Sequence, residues 1–148
     1  MHRWKNSQKN KLDKQFATFM SQEDLNCSLV GVCDLFDNRA ELGLNASLND
    51  VRPGGKPKAG ATRYRHYTDL LANDAIDAVI IATPDHWHSR ISVAAAKAGK
   101  HVYCEKGMTR TFDEAVEMYD AVKENGITFQ LGHQNRQVEA NEKAKQIY

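Results

Sequence analysis

The stretch from Ile76 to Lys106, IDAVIIATPDHWHSRISVAAAKAGKHVYCEK, constrains the fold more than any other part of the chain. Ala78 to Ala82 is a short, continuous apolar run, the pattern of a parallel strand covered on both faces. Thr83-Pro84-Asp85 stops it. Asp85 has the side chain of a helix N-cap, and Ser89 to Ala98 is rich in helix formers. Gly99 stands where a helix would end in a left-handed residue. His101 to Cys104 reads as a second strand, with Glu105-Lys106 at its carboxyl end. The result is a βαβ unit, expected to cross over right-handed. Open α/β sheets bind ligands at the carboxyl ends of their strands. Both polar clusters of the stretch, TPDHWH and EK, fall at such ends.

The flanking sequence extends the same alternation. Residues 1–11 are polar and basic without an apolar period, which predicts a disordered tail. Leu12, Phe16, Phe19 and Met20 recur at helical spacing, so an amphipathic helix is expected over 12–21. Ser28 to Cys33 reads as a strand ending at Asp34, and Phe36 to Gly43 as a short helix. Pro53-Gly54-Gly55, Pro57 and Gly60 leave no period over 45–61, hence a loop. Arg63 to Arg65 is a brief strand candidate, and Thr68 can cap a short helix through Leu71. Thr111 and Glu114 form a capping box ahead of a helix that Gly126 closes. Ile127 to Leu131 is the next strand, and Glu139 to Tyr148 a polar helix. Strands alternating with helices predict an α/β fold with a doubly wound parallel sheet of Rossmann type.

A dinucleotide-binding domain opens with a strand, a glycine-rich turn and a helix, and an acidic residue follows the glycines by about 20 residues. Asp34 is the candidate for that acid. Counting back puts the glycines in the first dozen residues, yet the first glycine is Gly31. The first strand and the glycine-rich loop are therefore expected to be missing. On this reading, 12–136 is a partial dinucleotide-binding domain, 137–148 starts a helix leading to an absent C-terminal domain, and the chain is a fragment.

Charge excludes two classes of partner. Twenty basic and 19 acidic side chains leave a net charge of +1, which gives no electrostatic case for nucleic acid or a membrane surface. No apolar run approaches the roughly 18 residues of a membrane span. The N-terminus lacks the apolar core of an export signal. Cys27, Cys33 and Cys104 have no metal-type spacing, so reduced thiols in a cytoplasmic protein are expected.

The two motifs ATPDHWH and AGKHVYCEK, at their spacing, resemble the cofactor-binding domain of the Gfo/Idh/MocA oxidoreductases, over about Leu29 to Arg136. The family motif Glu-Lys-Pro stands here as Glu105-Lys106-Gly107. The resemblance implies an NAD(P)-dependent oxidoreductase that moves hydride to or from a sugar or polyol carbon, with NAD as cofactor and NADP possible. It also implies a homo-oligomer at full length. The alternatives are an NAD-using glycosidase of the same superfamily and a non-catalytic remnant or binding module, the latter because the phosphate loop is missing.

Site residues follow. A carboxylate at Asp34 suits the adenosine ribose hydroxyls and favours NAD, because it repels a 2′-phosphate; Arg39 could counter it by reaching a phosphate. The bland reading of Asp34 is a solvated strand-end carboxylate. The resemblance places Thr83, Pro84, Asp85 and His88 along the ribose and nicotinamide side of the cofactor, although Asp85 could simply cap a helix. His86-x-His88 has no third ligand at suitable spacing, so no metal is expected. By resemblance Glu105 contacts the nicotinamide end. Lys106 is the catalytic candidate, an ammonium able to polarise a carbonyl or relay a hydroxyl proton. An exposed Glu-Lys pair is the ordinary alternative. Gly107, in place of proline, leaves the backbone there less fixed. Gln134, Asn135 and Arg136 follow the last strand and face the same crevice. Arg136 is the candidate substrate contact, or else a domain-linking salt bridge.

Overall fold

The computed structural model describes residues 27–48, 60–134 and 138–147. The readings for 1–11, 12–21, the middle of the 45–61 segment, Asn135 and Arg136 lie outside the described residues. What is described falls into two compact units, one up to Arg65 and one from His66.

In the first unit β1 (Gly31–Cys33) leads into α1 (Asp37–Ser47), and β2 (Thr62–Tyr64) returns parallel to β1. The helix does not stop at Gly43. It runs one turn further, because Gly43 serves the packing of α1 on the strand rather than its end. A Cβ at Gly43 would stand 2.8 Å from a methyl of Val32. The turn that ends α1 is tied to the returning chain through Ser47, whose hydroxyl donates to the Leu44 carbonyl at 2.6 Å and accepts from the Ala61 amide at 2.9 Å. Arg63 and Arg65 both reach the Asp37 carboxylate from β2 and its end. The hydrogen bond from Arg63, then the charges of Arg63 and Arg65, hold that carboxyl below its ordinary value.

The second unit carries a three-stranded parallel sheet, β3 (Ala78–Ile81), β4 (His101–Glu105) and β5 (Phe129–Gly132), in that order across the sheet. A short helix, α2 (Tyr67–Leu71), precedes it. A 3-10 turn (Asp85–Trp87) and α3 (His88–Lys97) join β3 to β4, α4 (Phe112–Asn125) joins β4 to β5, and α5 (Glu139–Ile147) follows. The register sets Val79 against Val102 and Ile81 against Cys104, with Val102 against Phe129 on the other side. These side chains share one face, which α3 and α4 cover. Ile81, Val102 and Cys104 join Ile91, Val93, Ala95, Ala96, Met118, Ala121 and Ile127 in one apolar cluster. Ala95 and Ala96 are wholly buried, so their small size lets α3 lie close on the sheet. The opposite face is not covered among the described residues. Ile80 is 77% exposed, so the apolar run of β3 is buried on one face here and not on both.

Helix ends explain where the chain turns. Gly99 (φ 72°) and Gly126 (φ 63°) adopt the left-handed conformation expected of them. At Gly99 the Lys100 amide reaches the Ala95 carbonyl and the Gly99 amide reaches Ala96, a Schellman closure. Thr111 and Glu114 form the capping box in full. The Thr111 hydroxyl accepts from the Glu114 amide, and the Glu114 carboxylate accepts from the Thr111 amide. Thr111→Ala is therefore expected to lower the unfolding free energy by about 1 kcal/mol, measured by urea denaturation with the slope unchanged. A loss below about 0.3 kcal/mol, at the foot of the range for weak caps, would show the box to be idle.

Two caps expected from sequence are absent. Thr68 lies inside α2, whose N-cap is His66 in an extended conformation. Asp85 does not cap α3. It opens the 3-10 turn, and the N-cap of α3 is Trp87. Pro84 fixes the extended entry (ψ 146°), and the Trp87 amide closes the turn on the Pro84 carbonyl at 2.9 Å.

Candidate active site at the strand ends

Because β3 and β4 are neighbours in register, the residues after Ile81 and after Cys104 leave the sheet side by side at its carboxyl edge. Thr83, Pro84 and Asp85 are exposed there, as is Lys106, and Glu105 is half-buried. Gln134 comes in from the end of β5. Its amide donates to Glu105 Oε1 at 2.8 Å, and Glu105 Oε2 accepts from the Lys106 backbone amide at 3.3 Å. Both carboxylate oxygens are thus anchored, which orients Glu105 against the edge and leaves the Lys106 ammonium exposed beside it. The Lys106–Gly107 peptide is cis.

His88 stands apart from the other candidates. It is 1% exposed, with Nδ1 2.7 Å from the Gly107 carbonyl and Nε2 2.7 Å from the Thr83 carbonyl. Both ring nitrogens face protein carbonyls, so the side chain presents no polar atom to a cofactor. The contacts also rule out pairing with His86 around a metal. His88 therefore does not fit direct cofactor contact; it joins the two loops that carry the exposed candidates. Among the described residues, no three His, Cys, Asp or Glu side chains cluster as a metal site.

Cys104, wholly buried one residue before Glu105, is not a nucleophile in waiting. Burial pushes its thiol up, the Ser92 hydroxyl pulls the other way, and the Glu105 charge adds to the rise. A thiol so shifted stays protonated near neutral pH. A groove of about 440 Å³ lined by Tyr67, His86, Arg90, Lys97, Glu114 and Glu117 lies over the helices of this unit and not at the strand ends.

In the first unit, Asp34 follows β1. One of its carboxylate oxygens, Oδ1, accepts from the Phe36 amide at 2.8 Å. That bond fixes the carboxylate at the strand end. The Arg39 guanidinium lies over the Phe36 ring, 5.7 Å from its centre. Arg136 lies outside the described residues.

The strand ends offer an oriented carboxylate, an exposed ammonium and a polar turn on adjacent strands, in a fold whose ligands bind at that edge. Residues 10–133 match the model of the GFO_IDH_MocA family, described as an oxidoreductase family with an NAD-binding Rossmann fold. A levoglucosan dehydrogenase from Pseudarthrobacter phenanthrenivorans is 42% identical over 79 residues, 53% of this chain and 20% of the relative. The myo-inositol 2-dehydrogenase of Lactobacillus plantarum superposes with a TM-score of 0.70 at 28% identity, over 92% of this chain and 37% of that one. A levoglucosan dehydrogenase in complex with NADH and levoglucosan superposes with a TM-score of 0.65 at 28% identity, over 80% of this chain and 29% of that one. The matched stretch thus spans about a fifth of the length of the curated relative.

Proposed function

The chain belongs to the Gfo/Idh/MocA oxidoreductase family with its NAD-binding Rossmann fold, and from that membership we propose that the intact protein is an NAD(P)-dependent dehydrogenase acting on a sugar or polyol carbon. The observation that carries the reading is the pairing of two strand ends. The exposed Thr83-Pro84-Asp85 turn and the anchored Glu105 with exposed Lys106 share one edge of a parallel sheet. The relatives named dehydrogenases act on sugar-like compounds, and one is crystallised with NADH and levoglucosan.

The nicotinamide, when bound, supplies or takes the hydride. The protein's part is placement and charge. Asp34 accepts the adenosine ribose hydroxyls, which favours NAD, with NADP as a weaker alternative. Thr83, Pro84 and Asp85 line the ribose and nicotinamide side, with His88 acting through their loop. Glu105 orients the nicotinamide end. Lys106 is the catalytic residue: its ammonium would face the substrate oxygen, stabilise the charge that develops there and give its proton to that oxygen in reduction, and in the oxidation direction the neutral amine would take the hydroxyl proton. Arg136 meets the substrate. The domain reading follows the same line, with 12–136 as the cofactor domain and 137–148 leading toward a second one. The protein is cytoplasmic and a homo-oligomer, and its partner is the small substrate rather than nucleic acid or membrane. No helix among the described residues is long and apolar enough to cross a membrane.

The test is turnover. The intact protein, given NAD and a panel of sugars and polyols, should form NADH with at least one of them. Cleavage of a glycoside with no net NADH, or no turnover on the panel, would contradict the reading.

A further inference from the structure

Both ring nitrogens of His88 face backbone carbonyls that belong to different strand-end loops. Nε2 meets Thr83 in the loop after β3, five residues back, and Nδ1 meets Gly107 in the loop after β4, 19 residues on. Each separation is 2.7 Å, and the ring is 1% exposed. A neutral imidazole has one N–H and can donate to one carbonyl; the imidazolium donates to both. Only the form that donates from both nitrogens ties the two carbonyls at once, and in it the ring is a rigid spacer between two pieces of irregular backbone. Thr83 adjoins the exposed turn, and Gly107 adjoins Lys106.

We propose that His88 is a positioning residue that clamps the two strand-end loops together and so fixes the backbone from which Lys106 reaches out. The proposal rests on the catalytic reading of Lys106. Among the described residues, no other hydrogen bond of the Glu105-Lys106-Gly107 segment does this task. The Glu105 carboxylate bonds the Lys106 amide at 3.3 Å, within one residue. The Gln134 bond holds the Glu105 side chain and not the loop. Glycine at 107 imposes no restriction of its own on the backbone. Beside the packing of Met108 on the apolar cluster, the tie to His88 is the hydrogen bond that links this loop to the helix α3, whose first residue His88 is. A catalytic group displaced by about 1 Å can lose on the order of 10²-fold in rate, so the clamp reaches the chemistry without touching substrate.

The experiment has two readouts in the intact protein. The first concerns the clamp alone. In His88→Gln, whose amide can reach one carbonyl and not both, amide hydrogen exchange over 83–87 and 106–109 should rise, while β4 and α4 stay protected. Unchanged exchange in those loops overturns the proposal, whatever Lys106 does. The second concerns its purpose. His88→Gln should lower kcat about 10- to 100-fold. In a Lys106→Ala background it should cost nothing further, because residues acting as one unit are not additive. Multiplicative losses overturn the positioning role, since His88 would then act independently of Lys106. A silent Lys106→Ala instead overturns the catalytic reading of Lys106, and with it the purpose assigned to the clamp, while raised loop exchange would still register the clamp itself. His88→Asn, shorter and still a donor, serves as second variant should His88→Gln unfold; the same outcomes decide.

Discussion

Lys106→Ala is expected to lower kcat of the intact protein about 10²–10³-fold, the usual cost of removing one preorganised donor from a developing oxyanion. The side chain is exposed at the carboxyl end of β4, next to the anchored Glu105. That is the edge at which an α/β sheet meets its ligand. NAD affinity should change little, because the cofactor is held mainly by other residues. Lys106→Arg should recover little of the loss. The guanidinium is planar and bulkier than the ammonium, and it does not give up its proton in the pH range of the reaction. Steady-state kinetics with NAD titration decide the matter. An alanine variant that keeps more than about a third of kcat would make Lys106 a structural residue, far outside the range expected for a lost oxyanion donor.

Ile81→Ala is expected to destabilise the chain by about 2–5 kcal/mol, the usual range for truncating a buried isoleucine. Ile81 is 3% exposed, ends β3 on its covered face, and sits opposite Cys104 in the register. Its removal leaves a cavity beneath α3, whose buried Ala95 and Ala96 have no spare length to fill it. Chemical denaturation should show a lower midpoint with an unchanged slope. A loss below about 1 kcal/mol would mean that this core collapses around the gap or is looser than described.

Sequence made the frame of the second unit legible because its signals are local. An apolar run, a helix of small residues and a glycine in order give β3, α3 and β4. A threonine three residues before a glutamate gives the start of α4. What the sequence hid depends on contacts across the chain or on competition between local options. Asp85 has a capping side chain, but Pro84 holds the entry extended and a 3-10 turn intervenes before α3. Thr68 has the same chemistry and lies inside its helix. Gly43 resembles a terminator and is instead the place where α1 and Val32 come close. At the site, the placement of Thr83, Pro84, Asp85, Glu105 and Lys106 at strand ends was readable from strand order alone. The roles of His88 and Gln134 were not, because no local pattern reports a hydrogen bond to a carbonyl 19 residues away or to a carboxylate 29 residues away. A histidine at the first position of α3 was the one available hint, and it suited burial as well as it suited binding.

If the nicotinamide end of a dinucleotide lies at the carboxyl edge of β3 and β4, NAD titration of the isotope-labelled intact protein, followed by amide chemical shifts, will show it. Saturable shifts are expected at Thr83 to Asp85 and Glu105 to Gly107, with the sheet interior unmoved. Shifts confined to the groove near Tyr67, Arg90 and Lys97, or none up to about 1 mM NAD, the upper end of typical KM values, would contradict that placement.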